Sequence, residues 1–201
     1  MYNTEERVFA ASGSPRKGGN SDHLMKAVLK PIEKAGIPCH TTYLRDCYYK
    51  PCMGCEYCRE NDACKLMDGM QILYPRIMLS RGMALVCPTH NYNITAWMKS
   101  FIDRLYRFYH FENTRPRKWS SKLAGQGRKA VIIGVCEQMN PDDMGFTLEA
   151  MRLPLEALGY EIIGETAVYG IFDKGKVAGN KDVLTKVEKL GEKLADAVME
   201  K

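Results

Sequence analysis

With 201 residues, 45% of them hydrophobic and 26% charged, the chain suits one globular domain that buries a core without disulfide staples. A formal net charge of +5 permits an anionic ligand or partner but is no nucleic-acid-binding footprint. The polar start, Met1 to Arg7, lacks the apolar run of a secretory signal, and no stretch reaches the roughly 20 apolar residues of a membrane span, so a cytoplasmic chain with reduced thiols is expected.

Val8 to Ser12 is short and apolar and runs into Gly13-Ser14-Pro15, which predicts a buried strand ending in a tight loop. Ser21 opens a helical pattern with Leu24, Met25, Val28, Leu29 and Ile32 on one face; Pro31 is expected to kink or stop it, and Gly36 to end it. Ile37 to Leu44 reads as a second strand, with Cys39 and Tyr43 sharing a face. Periodicity then vanishes from Arg45 to Asp68, and a loop that long inside a compact domain calls for a functional reason.

A helix is expected from about Asp68 to Arg81, with Met70, Leu73, Ile77 and Met78 inward and Pro75 counting against it. Met83 to Cys87, apolar throughout, has the pattern of a strand covered on both faces. A helix over Thr95 to Phe108 follows, N-capped by Thr95, with Met98, Phe101, Ile102 and Leu105 inward. Its Lys99, Asp103 and Arg104 read as surface or subunit-contact charges. Lys129 to Val135 is the fourth strand, Phe146 to Leu158 a helix disturbed by Pro154, Tyr160 to Tyr169 the fifth strand, and Asn180 to Met199 a closing amphipathic helix. The alternation predicts an α/β fold: one domain over residues 1–201 with a five-stranded parallel sheet, helices on both faces and a cysteine-rich insertion at 45–69.

Four of the eight cysteines fall within thirteen residues: Cys52, Cys55, Cys58 and Cys64, in the spacing C-x2-C-x2-C-x5-C. Thiolates three residues apart can converge on one soft centre, and three in a row at that spacing suit the corners of an iron–sulfur cubane. Structural zinc more often draws on two separated pairs. A zinc knot, an unoccupied cysteine loop and a redox disulfide remain open, and Cys47 is a rival fourth ligand. Tyr48, Tyr49, Met53 and Tyr57 are candidates for packing around the sulfurs.

Between Glu112 and Glu137 there is no acidic residue, while Arg115, Arg117, Lys118, Lys122, Arg128 and Lys129 are basic. This is a solvated loop or a docking surface for a nucleotide phosphate, an acidic electron carrier or a neighbouring subunit.

The first strand's loop, Ser12 to Ser21, has neither G-x-G-x-x-G nor a phosphate loop ending in Gly-Lys-Ser/Thr, which disfavours a dinucleotide or nucleoside triphosphate there. It offers the hydroxyls of Ser12, Ser14 and Ser21, the Asn20 amide and the Arg16 guanidinium ahead of a helix N-terminus, a setting for a phosphate monoester such as that of FMN. A plain turn with a helix cap is the alternative. After the third strand, Pro88, Thr89, His90, Asn91, Tyr92 and Asn93 supply polar groups and a ring for an isoalloxazine; Cys136 lies in the loop after the fourth strand, placed to touch the same ligand.

Ser12 to Ser21, the run Cys52 to Cys64, and Pro88 through Met98-Lys99-Ser100-Phe101-Ile102-Asp103-Arg104 together resemble the NADPH-dependent FMN reductase superfamily, and within it the iron–sulfur flavoproteins. The resemblance implies a flavodoxin-like fold with strand order 2-1-3-4-5. It implies FMN on Ser12, Ser14, Arg16, Asn20, Ser21 and Pro88 to Asn93, and a 4Fe–4S cluster on Cys52, Cys55, Cys58 and Cys64. It further implies a homodimer or homotetramer, with NAD(P)H as donor, whereas the basic stretch Arg115 to Lys129 would suit a small acidic carrier such as ferredoxin. This chain departs from the family in His90, where tyrosine is usual, in Tyr92, where a small residue is common, and in Cys136-Glu137, where glycines are frequent. A cluster-free NAD(P)H:FMN or quinone reductase and a non-enzymatic electron carrier are the competing functions.

Overall fold

A computed structural model describes residues 5–200, so Met1 to Thr4 of the predicted polar start lie outside the described residues. Strand β1 (Glu5–Ser12) is followed by helix α1 (Asn20–Lys34) and strand β2 (Cys39–Tyr43). A five-residue helix α2 (Tyr57–Asn61) sits inside the cysteine loop, ahead of α3 (Met70–Leu79), β3 (Ser80–Pro88) and α4 (Ala96–Arg104). Strands β4 (Tyr109–Phe111) and β5 (Trp119–Ser121) form an antiparallel hairpin; β6 (Lys129–Val135), α5 (Thr147–Ala157), β7 (Glu161–Val168) and α6 (Lys181–Met199) complete the order.

The main sheet is parallel, in the order β2-β1-β3-β6-β7. Counting only its own strands, this is the expected 2-1-3-4-5 arrangement. Alternation along each strand splits the core in two. Phe9, Ala11, Met83, Leu85, Cys87, Ala130 and Ile132 face α3, α4 and α5, whereas Val8, Ala10, Ala84, Val86, Val131 and Ile133 face α1 and α6. Cys39 and Tyr43 share the second face, as their spacing predicts.

Pro31 neither stops α1 nor marks its end. The helix runs on to Lys34, Ala35 N–H donates to Pro31 O, and Gly36 follows at φ +78°. Packing of the apolar face outweighs the one hydrogen bond that proline removes. Pro75 and Pro154 likewise lie inside α3 and α5. The β4–β5 hairpin was not foreseen: three-residue strands with exposed members leave almost no periodic signal. No helix among the described residues is long and apolar enough to cross a membrane.

Candidate functional site

The loop after β1 packs tightly against the start of α4. Thr95 is buried and caps α4 by accepting from Met98 N–H, and its hydroxyl donates to Gly13 O at 2.7 Å. A Cβ on Gly13 would lie 2.9 Å from both Cys87 Sγ and Met98 Cβ, so glycine is required there by close approach. Cys87 is itself enclosed, and burial pushes its thiol up to about 12. The β1 loop and the β3 loop are thereby locked to each other at the C-terminal edge of the sheet, where ligands bind in open α/β sheets.

There a cavity of about 120 Å³ is lined by Ser14, Arg16, Asn20, Ser21, Pro88, Thr89, His90, Glu137 and Phe172, among others. Seven of the twelve flavin-site residues expected from the sequence line it. The volume suits the phosphate end of a ligand, and the N-terminus of the fifteen-residue α1 opens onto it. Ser14 Oγ accepts from Arg16 N–H at 3.2 Å. Arg16 donates to Phe172 O at 3.0 Å and lies 4.3 Å over the Phe172 ring, so the loop after β7 forms a wall the sequence did not reveal.

The other expected residues take different parts. Ser12 is fully buried; its hydroxyl donates to Asp22 Oδ1 and accepts from Ser14 N–H, shaping the loop from beneath. Asn20 touches the cavity, but its amide donates to Phe172 O and Asp173 O while its oxygen accepts from Val177 N–H, tying the β7 loop down. Asn91 (φ +48°) and Tyr92 (φ +61°) form the tip of a two-residue turn closed by paired hydrogen bonds between His90 and Asn93. A bulky tyrosine in that region is strained. It is held by Phe146 N–H, which donates to Tyr92 O at 2.8 Å, and the residue stays exposed. Asn93 Oδ1 accepts from Ile94 N–H. Cys136 is buried and braces the ends of β6 and β7 through its backbone, leaving Glu137 to face the cavity.

Beneath the β1 loop, Arg45 and Asp22 form a buried bidentate pair at 2.9 and 2.8 Å. Asp22 Oδ2 accepts Gly18 N–H, and Arg45 Nη1 also donates to Ser14 O. Burial works against the Arg45 cation, but the bond to Asp22 holds its guanidinium above the usual range. Because Arg45 is the first residue of the cysteine insertion, this pair joins the insertion to the phosphate-type loop. On its far side Arg45 also lines an open depression of about 400 Å³ with Cys47, Tyr49, Trp97 and Ser100.

The cysteine loop has its own framework. Cys52 and Cys55 are exposed, Cys58 and Cys64 half-buried, and all four are free thiols. Burial raises the Cys58 thiol above its ordinary range, with Cys64 adding to the shift and a backbone hydrogen bond opposing it. Among the described residues no three Cys, His, Asp or Glu converge as they would around a single ion. Glu56 accepts from both Arg59 (2.6 Å) and Arg117 (2.7 Å), hydrogen bonds that draw its carboxyl below the usual range. Lys122 pairs with Asp62, and Arg107 donates to Asp62 O. The buried Arg59 Nε–H, one residue from Cys58, has no acceptor.

Four of the six residues of the basic stretch are engaged within the fold, while Arg115 and Lys118 stay exposed. Arg117 and Lys122 grip the cysteine loop and Lys129 pairs with Glu161. Arg128 is buried, donating to Ile77, Met78 and Ser80 carbonyls at the end of α3. Arg104, expected on the surface, is also buried: it pairs with Asp68 at 2.7 and 3.0 Å and reaches Cys64 Sγ at 3.4 Å. Its sequence signal is faint, since Asp68 lies 36 residues away.

With this geometry in place, residues 7–137 match the model of the family described as NADPH-dependent FMN reductase. An iron–sulfur flavoprotein of Archaeoglobus fulgidus is 29% identical over 92% of this chain and 77% of its own length. An iron–sulfur flavoprotein of Methanocaldococcus jannaschii is 27% identical over 96% of this chain and 97% of its own. The backbone superposes on an NAD(P)H:quinone oxidoreductase from Methanothermobacter marburgensis with a TM-score of 0.68 at 16% identity, covering 94% and 98% of the two chains. An FMN-dependent NADH-azoreductase of Bacillus anthracis, solved with FMN, gives 0.65 at 16% identity, over 94% and 99%. These two likenesses establish the shared fold, and the family match goes further: the chain belongs to the NADPH-dependent FMN reductase family and is a flavin-dependent oxidoreductase.

Proposed function

We propose that the chain binds FMN at the Ser14–Arg16–Ser21 cavity, holds a 4Fe–4S cluster on Cys52, Cys55, Cys58 and Cys64, and passes electrons between the two. The observation that carries this proposal is the arrangement around α4. Its N-terminal cap, Thr95, bonds to the β1 loop, and its last residue, Arg104, bonds to Cys64. Nine helical residues span about 14 Å, so one helix links the β1 loop to the Cys64 end of the cysteine loop.

FMN supplies exchange between two-electron and one-electron chemistry, and a cluster supplies one-electron relay. The protein's own groups provide position. Ser14, Ser21, Arg16 and the α1 N-terminus offer hydroxyl, cationic and backbone donors for a phosphate dianion. Asp22 is neutralised by Arg45 before any ligand enters, so its carboxylate does not oppose that dianion. Thr89, His90 and the strained Tyr92 turn border the route outward along which a flavin ring would lie.

Half-buried Cys58 and Cys64, with the buried Arg104 guanidinium donating to Cys64 Sγ, suit a sulfur-rich anionic centre. The curated relatives named iron–sulfur flavoproteins support the same reading. Electrons come from NAD(P)H or a small ferredoxin-like carrier in a reducing cytoplasm. A homodimer or homotetramer would cover the exposed Tyr48, Met53, Met67 and Trp97 around the cysteine loop.

Cys55→Ser tests the ligand set. Iron content per chain should fall to background while FMN content stays within about 20% of wild type, because the flavin cavity lies at the other end of α4. Full iron retention in the variant would place the ligands elsewhere.

A further inference from the structure

We infer that Arg104 is the positioning residue of the cysteine loop: it fixes the Cys64 sulfur and, through that contact, raises the potential of the centre the four cysteines hold. This rests on the cluster proposed above. The Arg104 guanidinium has all five N–H donors engaged. Two go to Asp68, one to Lys50 O at 2.7 Å, one to Tyr74 Oη at 3.3 Å, and the fifth to Cys64 Sγ at 3.4 Å. Tyr74 Oη in turn donates to Arg104 O.

The head group cannot swing away without leaving buried donors unpaired, which is costly. Its anchor is equally fixed. Asp68 accepts Lys50 N–H at 3.0 Å and Met70 N–H at 3.1 Å, so the pair clamps both ends of the loop that carries the cysteines. A second hold comes from Gln71, which donates to Cys64 O and Leu66 O. Cys64 is thus the sulfur with a prescribed position, whereas Cys52 and Cys55 lie on an exposed stretch.

The electrostatic consequence follows from charge. Reduction adds one electron to a thiolate-bound centre, with no bond made or broken, and a cationic N–H on one of its sulfurs favours the more negative state. Asp68 opposes this from the far side of the guanidinium. Arg59, Arg117 and Lys122 act through partly exposed pairs that solvent screens, so their effect is smaller.

The test is a potentiometric titration with dithionite, followed by electron paramagnetic resonance, on the anaerobically purified full chain and on Arg104→Gln and Asp68→Asn. Arg104→Gln should lower the midpoint by about 59 mV or more, a tenfold change in a one-electron equilibrium. Asp68→Asn should raise it by a similar amount. Both variants break the same ion pair, so a merely structural role would shift them alike or not at all; either result, with iron retained, overturns the inference. If Arg104→Gln loses its iron, Arg104→Lys, which keeps the charge without the planar fork, should retain iron with a smaller fall. The Asp68→Asn midpoint then decides: a rise supports the inference, and a fall or no change overturns it. Wild-type chain without iron removes the cluster and this inference together, an outcome the iron assay identifies before any titration.

Discussion

Arg16 serves the β1 loop twice, closing it against Phe172 and presenting a cation beside Ser14. Arg16→Ala should therefore weaken FMN binding by about 10–100-fold, the loss of one charge-assisted contact of roughly 1.5–3 kcal/mol, and adding Ser14→Ala should weaken it further. Quenching of flavin fluorescence during titration of the apoprotein measures this, and unchanged affinity in the double variant would move the phosphate elsewhere. That Ser14, Arg16 and Ser21 gather around one cavity was legible in the sequence, since hydroxyls and a cation cluster ahead of a helix N-terminus. Their division of labour was not. Ser12 and Asn20 are committed to Asp22 and to the 172–177 segment, partners that only the fold brings near. Arg104 shows the same limit: a basic residue at a helix end reads as solvated until the structure buries it against Asp68.

Among the elements, sheet strands and long helices announce themselves through apolar spacing, and their order follows from alternation. Short pieces escaped, since α2 and the β4–β5 hairpin carry too few buried residues to form a pattern. Prolines misled at Pro31, where tertiary packing decides: Gly191 of α6 approaches α1 so closely that a Cβ there would lie 2.0 Å from Val28 O and 2.7 Å from the Pro31 ring. Gly191→Ala should destabilise the chain by about 2 kcal/mol or more and lower Tm by roughly 4–8 °C, because helix backbones cannot part without opening the core lined by Leu24, Val28, Val187 and Leu194. Thermal unfolding followed by circular dichroism checks this; an unaltered Tm would mean that α1 and α6 are not in such contact. The basic stretch, legible as charge, belongs to this scale too: its pairing with Glu56 and Asp62 makes the hairpin and the following loop a brace for the cysteine insertion.

For the whole molecule, the parallel sheet places two loops of different chemistry along one edge; Arg45 ties the start of the insertion to the β1 loop and α1, and Arg104 ties its end to α4. The family match makes the chain a flavin-dependent oxidoreductase. What distinguishes this chain from a plain reductase is the four-cysteine loop, so the decisive measurement is cofactor stoichiometry on protein prepared without oxygen. The account predicts one FMN with about four iron and four acid-labile sulfide per chain. Yellow protein devoid of iron would contradict the cluster, and colourless protein that takes up no added FMN would contradict the account at its root.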